Sequence, residues 1–316
     1  MRILFILDTL QNLKIYKDTS ISIMYSIKKF GYEIETSLSN NLFINNHIAY
    51  VYSVPIKLIN KNDKHQRKFF FEGHENKKLL NKFNALIFRK NPPFDIEYFY
   101  LTYILDNIKK NGINVINNGE LIRNYSEKLS IIKFRKYTPK TLISKNLYEI
   151  KSFLKYNNNI IIKKLNSMGG EGIFKIKKND SNFNSIIEMI TLKGKNSIIV
   201  QKYISNILHG DKRIIIVGNY TIPYSLSRIS KPFENRNNIS AGGFGIVQRL
   251  SNHEYKISEF VKSYFKKSSF LLIGLDVVGN YLIEANITSP TCFVEIKNKV
   301  GFDISFFFIK IIKKNK

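Results

Sequence analysis

Asp276, Glu284 and Asn286 lie on two apolar runs, Leu275–Val278 and Tyr281–Asn286, joined by Gly279-Asn280. The pattern reads as a β-hairpin. Glu284 and Asn286 are two residues apart and so point to one face of a strand. Carboxylate and amide oxygens aimed off one face suit a hard cation such as Mg²⁺, without excluding Mn²⁺. Register decides whether Asp276 joins them. A strict two-residue turn would pair Asp276 with Ile283 and turn it away. A three-residue Gly279-Asn280-Tyr281 loop would set it opposite Glu284, so three-residue metal binding requires the longer loop. A surface hairpin with ordinary polar residues fits the same letters.

A second set of residues suits phosphate. Lys163 to Gly172 is a lysine-led loop containing Gly169, Gly170 and Gly172, where consecutive N–H groups can converge on phosphate oxygens. It lies between strand-like runs and lacks the Gly-x-x-x-x-Gly-Lys-Ser/Thr order, which favours a flap-like hairpin over a P-loop. Gln201-Lys202-Tyr203-Ile204 ends an apolar strand whose backbone could face a purine. Asp211, Arg213, Arg228 and Arg236 add charges at strand ends and in a polar loop, and arginine forks suit carboxylates and phosphates. Each of these residues taken singly, Lys128 included, is also what a solvated surface carries. The five histidines show no zinc spacing, and no Gly-x-Ser-x-Gly elbow is present. Cys292 has no motif that would make it a nucleophile.

The elements that must position these groups fall into two styles. Over about the first 120 residues, strands and helices alternate: strand Met1–Asp8, helix Asp18–Lys29, strand from Tyr32, a hairpin within Leu42–Leu58, strand Ala85–Arg89, helix Ile96–Lys109 and strand Val115-Ile116. That order predicts a parallel α/β domain. Asn60–Asn76 is charged and reads as a loop. Beyond residue 120, strands follow one another, as in antiparallel α+β architecture, before a C-terminal helix.

The chain has 316 residues and 44% apolar content, enough for a few cored domains. Its single cysteine excludes a disulfide framework and fits a reducing compartment. No apolar run is long enough to span a membrane, so the expectation is cytoplasmic, with no membrane partner. The net charge of +26 is spread along the whole length and comes without a nucleic-acid-binding signature, so no nucleic-acid partner is expected. A diffuse positive field can still attract anionic nucleotides.

Taken in order, Lys128, Lys163 with its Met-Gly-Gly loop, Gln-Lys-Tyr-Ile, Gly-Asp-Lys-Arg, Ala-Gly-Gly and Asp276…Glu284-Ala285-Asn286 resemble an ATP-grasp ligase. Arg89-Lys90-Asn91-Pro92-Pro93-Phe94-Asp95 and Asn286-Ile287-Thr288-Ser289-Pro290-Thr291 are similar to segments particular to the bacterial glutathione synthetases. The resemblance implies a Rossmann-like N-terminal domain over 1–121, then an ATP-grasp fold of two α+β subdomains, a lid over 122–200 and a larger one over 201–316. It implies ligation of γ-glutamylcysteine and glycine with ATP, through an acylphosphate, in a homotetramer. Carried over by position, Lys128, Lys163, Gly169 and Gly170 would hold ATP phosphates, and Gln201, Lys202, Tyr203 and Ile204 would frame the adenine. Asp211 would lie near the nucleotide. Asp276, Glu284 and Asn286 would hold Mg²⁺. Lys163, Arg213 and Arg228 would act on the transferring phosphoryl group. Arg89, Arg228, Arg236 and Ser289 would hold the peptide.

The chain departs from the family's pattern at Lys164–Ser167 in the lid and at Phe244, where the family has Arg in Gly-Gly-Arg-Gly. None of these changes removes a residue assigned to metal or phosphate. An ATP-grasp ligase acting on another carboxylate would share the nucleotide residues but not Arg89–Asp95 or Thr288–Thr291. A basic nucleic-acid-binding protein would instead show binding that falls steeply with salt. A decayed relative would be expected to lose Lys128, Lys163, Glu284 or Asn286.

Overall fold

The computed structural model describes residues 1–8, 13, 16–60, 67–167, 169–229, 244–265 and 272–314. Three sheets occupy successive stretches of the chain. The first is built from β1 (Arg2–Leu7), β2 (Glu33–Leu38), β3 (Leu42–Asn45), β4 (Ile48–Asn60), β5 (Arg67–Phe71), β6 (Asn76–Leu79), β7 (Ala85–Phe88) and β8 (Asn114–Ile116). Its centre is parallel: β1 lies between β2 and β7, and β7 pairs with β8. Ile3 to Ile6 of β1 are fully buried, the unbroken apolar run that a sheet covered on both faces requires. The covering helices are α1 (Thr19–Lys29), α2 (Ile96–Lys110) and the short α3 (Gly119–Asn124). Asp18, Asp95 and Asn118 cap them by accepting N–H groups of Ile21, Tyr98 and Leu121.

The expected loop at 60–76 contains a strand. β5 pairs antiparallel with the outer half of β4, Ile56 opposite Phe71. Its Phe69-Phe70-Phe71 run was the available signal, outweighed in the sequence by the surrounding charge. Edge pairing of this kind is decided by a partner strand more than by local propensity.

The second sheet, in order β11-β10-β12-β9, is antiparallel. Its strands are β9 (Thr141–Ser144), β10 (Asn159–Lys164), β11 (Ile173–Lys177) and β12 (Ile198–Lys202), with α4 (Leu147–Asn157) and α5 (Phe183–Ile190) packed on it through Ile150, Leu154, Ile187 and Ile190. The third sheet, in order β15-β14-β13-β16-β17, is also antiparallel. It comprises β13 (Asp211–Val217), β14 (Tyr220–Ile229), β15 (Phe244–Arg249), β16 (Leu272–Val278) and β17 (Tyr281–Asn286). Ile214 and Ile216 pack with α6 (Asn252–Ser263), and with Leu121 and Phe134 from the chain ahead of the second sheet.

Ile215 and Val217, on the opposite face, join a core shared with Ile3 and Phe5 of β1, α1, α7 (Phe293–Val300) and α8 (Ile304–Lys314). The first and third sheets are thus welded by one apolar core. Asn117 adds a polar splice. Its Nδ2 donates to the carbonyls of Leu272 (2.7 Å) and Ile287 (2.6 Å), and its Oδ1 accepts from Leu272 N–H (2.9 Å). Asn117→Ala would leave the buried Leu272 N–H without its partner. We expect a loss on the order of 3 kcal/mol, read as a fall of several degrees in Tm by differential scanning calorimetry.

Candidate functional site

Strand pairing in the third sheet lines up a row of charges. Asp211 of β13 faces Arg228 of β14, and Arg213 of β13 faces Asp276 of β16. Asp211 and Arg213 are two apart and so share a face. Arg213 grips Asp276 with Nε to Oδ1 at 2.5 Å and Nη2 to Oδ2 at 3.0 Å. Arg228 donates from Nε to Asp211 Oδ1 at 3.0 Å and from Nη2 to Asp211 Oδ2, and it meets Asp276 Oδ2 at 2.9 Å. All four are buried. Burial alone would raise the Asp276 carboxyl, but Arg213 and Arg228 hold it well below the usual range. It is ionised at any physiological pH.

The hairpin register differs from both sequence alternatives. The turn is the tight two-residue one, with Val278 opposite Tyr281 and Val277 opposite Leu282. A β-bulge at Ile283 then shifts the pairing, so that Asp276 faces Glu284. The longer loop is therefore not needed. The bulge has a packing cause. Leu282 and Ala285 both belong in the core behind the sheet, and their spacing of three is incompatible with strict alternation. One extra residue lets both face the core while Glu284 turns to the other side. Asn286 donates from Nδ2 to Gly274 O at 3.2 Å and to Asp276 Oδ2 at 3.3 Å. The donor set brought together is oxygen only, two carboxylates and an amide, which fits a hard divalent cation.

These residues form one wall of a cavity of about 540 Å³. Lys163, at the end of β10, lines it from the second sheet and is buried. Burial pushes its ammonium down, opposed by the charge of Glu284. The β10–β11 connection is the expected hairpin, and its Gly169 and Gly170 line the cavity with φ of +65° and +85°, where a side chain would be strained. Lys128 reaches into the same space, 3.6 Å from Glu284 Oε1, and donates to the lid carbonyls of Leu165 (3.5 Å) and Ser167. Gln201, Lys202, Tyr203 and Ile204 line another side. The N–H groups of Lys202 and Tyr203 already donate to the carbonyls of Lys140 and Asn159. The Ile204 N–H has no acceptor among the described residues. The Tyr203 ring is covered by Lys175 of the lid at 3.8 Å.

Ser289 also lines the cavity, its Oγ donating to Asn91 Oδ1 at 2.6 Å. Arg89 does not. It is buried behind this wall, donating from Nε to Ser20 Oγ at 3.1 Å and from Nη1 to Pro290 O at 2.8 Å. In this arrangement Arg89 holds the Ser289-Pro290 segment against α1 and does not itself line the cavity. A cation at the end of a buried strand finds its neighbours' polar atoms before it finds solvent. Arg236 lies outside the described residues. Phe244, the altered loop position, is half-exposed at the start of the edge strand β15 and does not line the cavity.

One residue was missed. Glu127 lines the cavity, accepts from Thr288 Oγ1 at 2.5 Å, and its backbone carbonyl accepts from Ala285 N–H at 3.0 Å. Its only sequence signal was its place beside Lys128. Burial, reinforced by the Glu284 charge, pushes its carboxyl up to about 7. A carboxyl raised in the folded state weighs against the fold once the unfolded chain can ionise it, so its effect grows between about 4.5 and 7. In metal-free buffer, Glu127→Gln should raise Tm at pH 8, and the gain should shrink towards pH 5. A constant gain would show that the proton is not the cause.

The comparisons with known proteins agree across the whole chain. Residues 1–123 match the family described as prokaryotic glutathione synthetase, N-terminal domain, and residues 127–301 match its ATP-grasp domain. The glutathione synthetase of Bordetella parapertussis is 39% identical over 309 residues, spanning 98% of this chain and 97% of that protein. That of Neisseria meningitidis serogroup A is 38% identical over 308 residues, with the same coverage. The glutathione synthetase of Buchnera aphidicola subsp. Schizaphis graminum is 38% identical over 313 residues, covering 99% of this chain and 97% of its own length. Among solved structures, D-cycloserine synthetase DcsG superposes with a TM-score of 0.68 at 11% identity over 99% of this chain and all of that one, a likeness of fold. Family matches over both halves, full-length relatives and an ATP-grasp architecture converge: this chain belongs to the prokaryotic glutathione synthetase family.

Proposed function

We infer that the chain is an ATP-dependent ligase that joins glycine to γ-glutamylcysteine, giving glutathione, ADP and phosphate. The observation that carries this reading is the single cavity wall on which Arg213, Arg228, Asp276, Glu284 and Asn286 meet Lys128 and Lys163, in a chain of this family. The cysteinyl carboxylate attacks the γ-phosphorus of ATP and ADP leaves. The glycine amine then adds to the acylphosphate carbonyl and phosphate departs.

In this reading Lys128 and Lys163 hold the nucleotide phosphates. Phosphate oxygens replace the carbonyls of Leu165 and Ser167 on Lys128, so nucleotide binding and lid position are coupled. Gly169 and Gly170 present N–H groups to the same phosphates and close over the acylphosphate, keeping water from hydrolysing it. The segment Gln201–Ile204 frames the adenine, with Ile204 as donor. Arg213, fixed by Asp276, and Arg228, fixed by Asp211, face the transferring phosphoryl group without needing to reorganise. Asp276, Glu284 and Asn286 would hold Mg²⁺, which when bound neutralises charge on the phosphoryl oxygens. Ser289 and Arg236 are assigned to the peptide.

The three sheets support the division into an N-terminal domain over 1–121, a lid over 122–200 and a larger subdomain over 201–316. The stretch 121–137 nevertheless packs on the third sheet through Leu121 and Phe134. A cytoplasmic homotetramer is the working form implied by the family. Among the described residues no helix is long and apolar enough to cross a membrane.

Phosphate release from ATP with Mg²⁺ and γ-glutamylcysteine, with and without glycine, tests the reading directly. Glycine-dependent release with glutathione identified by mass is expected. Release with another amine or carboxylate only would move the assignment to a different ligase. Glu284→Gln should lower kcat by about 100-fold or more, with the folded state retained by circular dichroism. Near-normal turnover would remove Glu284 from the metal.

A further inference from the structure

One tip of the second sheet takes no part in the scheme above. α5 stops at Ile190, and the chain returns to β12 through residues 191–197. Leu192, Lys193 and Gly194 follow one another with φ of +50°, +54° and +79°. The left-handed region suits glycine and penalises bulky side chains, and only the third of these residues is glycine. The conformation is firmly held. Thr191 is buried, and its Oγ1 donates to Ile187 O at 2.6 Å and accepts from Gly194 N–H at 3.0 Å. Its carbonyl accepts from Asn196 N–H at 2.8 Å, and Lys193 N–H donates to Glu188 O at 2.7 Å. A glycine at 192 would meet the same bonds without the strain. Leu192 returns little through internal packing, because it is 55% exposed. Strain kept at a defined position, with an apolar side chain left in water, points to a contact outside the chain.

The neighbours of Leu192 give the chemistry of that contact. Ile198 pairs with Ser144, so the loop lies beside the β9–α4 connection, and a Cβ at Gly194 would stand 3.8 Å from Lys145 O. α4 therefore starts at the end of the sheet where α5 stops. Tyr148, in the first turn of α4, is 82% exposed, and Met189, in the last turn of α5, is 56% exposed. Lys145, Lys193 and Lys195 are exposed around them and have no ion-pair partner among the described residues. Glu149 and Glu188 are the exposed acids of the same two helices, so lysine is in excess at the tip. The tip lies outside the cavity, which none of these residues lines.

An apolar tip ringed by lysines suits a protein partner poorly, because lysine is depleted from protein interfaces. It suits nucleic acid poorly as well. Residues 141–202 contain no arginine, and the apolar groups at the tip are mostly aliphatic, where nucleic-acid binding uses stacked rings and arginine forks. A bilayer with anionic headgroups matches both halves of the tip. Leucine and methionine enter the acyl boundary, tyrosine sits at headgroup level, and each lysine gains from the negative surface. The net charge of +26 adds a longer-range attraction of the same sign. We propose that Tyr148, Met189 and Leu192, with Lys145, Lys193 and Lys195, dock the protein peripherally on an anionic lipid surface. Such a contact lies on the membrane and requires no spanning helix. The inference does not depend on the ligase reading.

Flotation of the full-length protein with vesicles of phosphatidylglycerol and phosphatidylethanolamine, against phosphatidylcholine alone, tests this. Binding to the anionic vesicles only is expected. A chain this basic is drawn to any anionic surface, so variants locate the contact. Leu192→Gly, which leaves the charge unchanged, should weaken partition by about 10-fold, the scale of one buried leucine, without lowering Tm. Lys193→Gln with Lys195→Gln should weaken it by about 30-fold at low salt. Lys82→Gln with Lys110→Gln removes the same charge from exposed positions in the first domain and should change it by less than about 3-fold. The chain has no tryptophan, so Tyr148→Trp reports insertion, and its emission should shift to the blue on the anionic vesicles. Tyr156→Trp, at the other end of α4 and at a position 79% exposed, should not shift. Equal losses from both lysine pairs, with none from Leu192→Gly, would overturn the proposal in favour of diffuse charge. Equal shifts of both tryptophans would do the same. A fall of several degrees in Tm for Leu192→Gly would assign the leucine to the fold and remove the premise. No binding to anionic vesicles, with Tm unaffected by Leu192→Gly, would overturn the lipid assignment and leave the tip to a protein partner.

Discussion

Four buried charges, Asp211, Arg228, Asp276 and Arg213, constrain the rest of this molecule. Removing ions from water costs several kcal/mol each, and the cost is recovered only where geometry and hydrogen bonding are nearly complete. Here both guanidiniums engage carboxylates through two nitrogens, and Arg228 bridges the two carboxylates. That completeness needs β13, β14 and β16 in one register. A slip of one residue would turn the charges into the apolar core that Ile214 and Ile216 occupy. The network is a poor source of net stability and a strong source of specificity in strand pairing. It also fixes both guanidiniums before any ligand arrives.

The bulge at Ile283 extends the same row by one strand. It reconciles two demands that a regular hairpin cannot meet together: apolar burial of Leu282 and Ala285, and presentation of Glu284 opposite Asp276. The segment after the hairpin is held as firmly. Asn117 ties Ile287 and Leu272 to the first sheet, and Arg89 ties Pro290 to α1. Thr288 and Ser289 are therefore carried on backbone anchored at both ends. The N-terminal domain contributes rigidity to the site through these anchors, and contributes cavity wall directly through Lys17 to Thr19.

The lid is built differently. Its connection rests on Lys128 through two backbone carbonyls, and its glycines have no side chains to pack. Such contacts pair the lysine with neutral carbonyls, unlike the guanidinium–carboxylate pairs of the floor.

Much of this was legible in the order of residues. Alternation of apolar and polar types located most strands and the first helices, because burial on one face imposes a period on the chain. Glycine-rich and oxygen-bearing motifs located the β10–β11 loop, the β16–β17 hairpin and the Gln201–Ile204 segment that line the cavity, because such positions admit few residue types. Four things were decided only by tertiary packing. The strand at 67–71 depended on an edge offered by β4. The bulge depended on a core behind the third sheet that demands Leu282 and Ala285 together. The turning of Arg89 away from the cavity depended on Ser20 and Pro290, which are far from it in sequence. The raised carboxyl of Glu127 depended on burial beside Glu284. In the last three cases the deciding partner is distant along the chain. Local pattern sets what a segment can become, and long-range contact with low-dielectric burial sets which way its side chains face and what charge they carry.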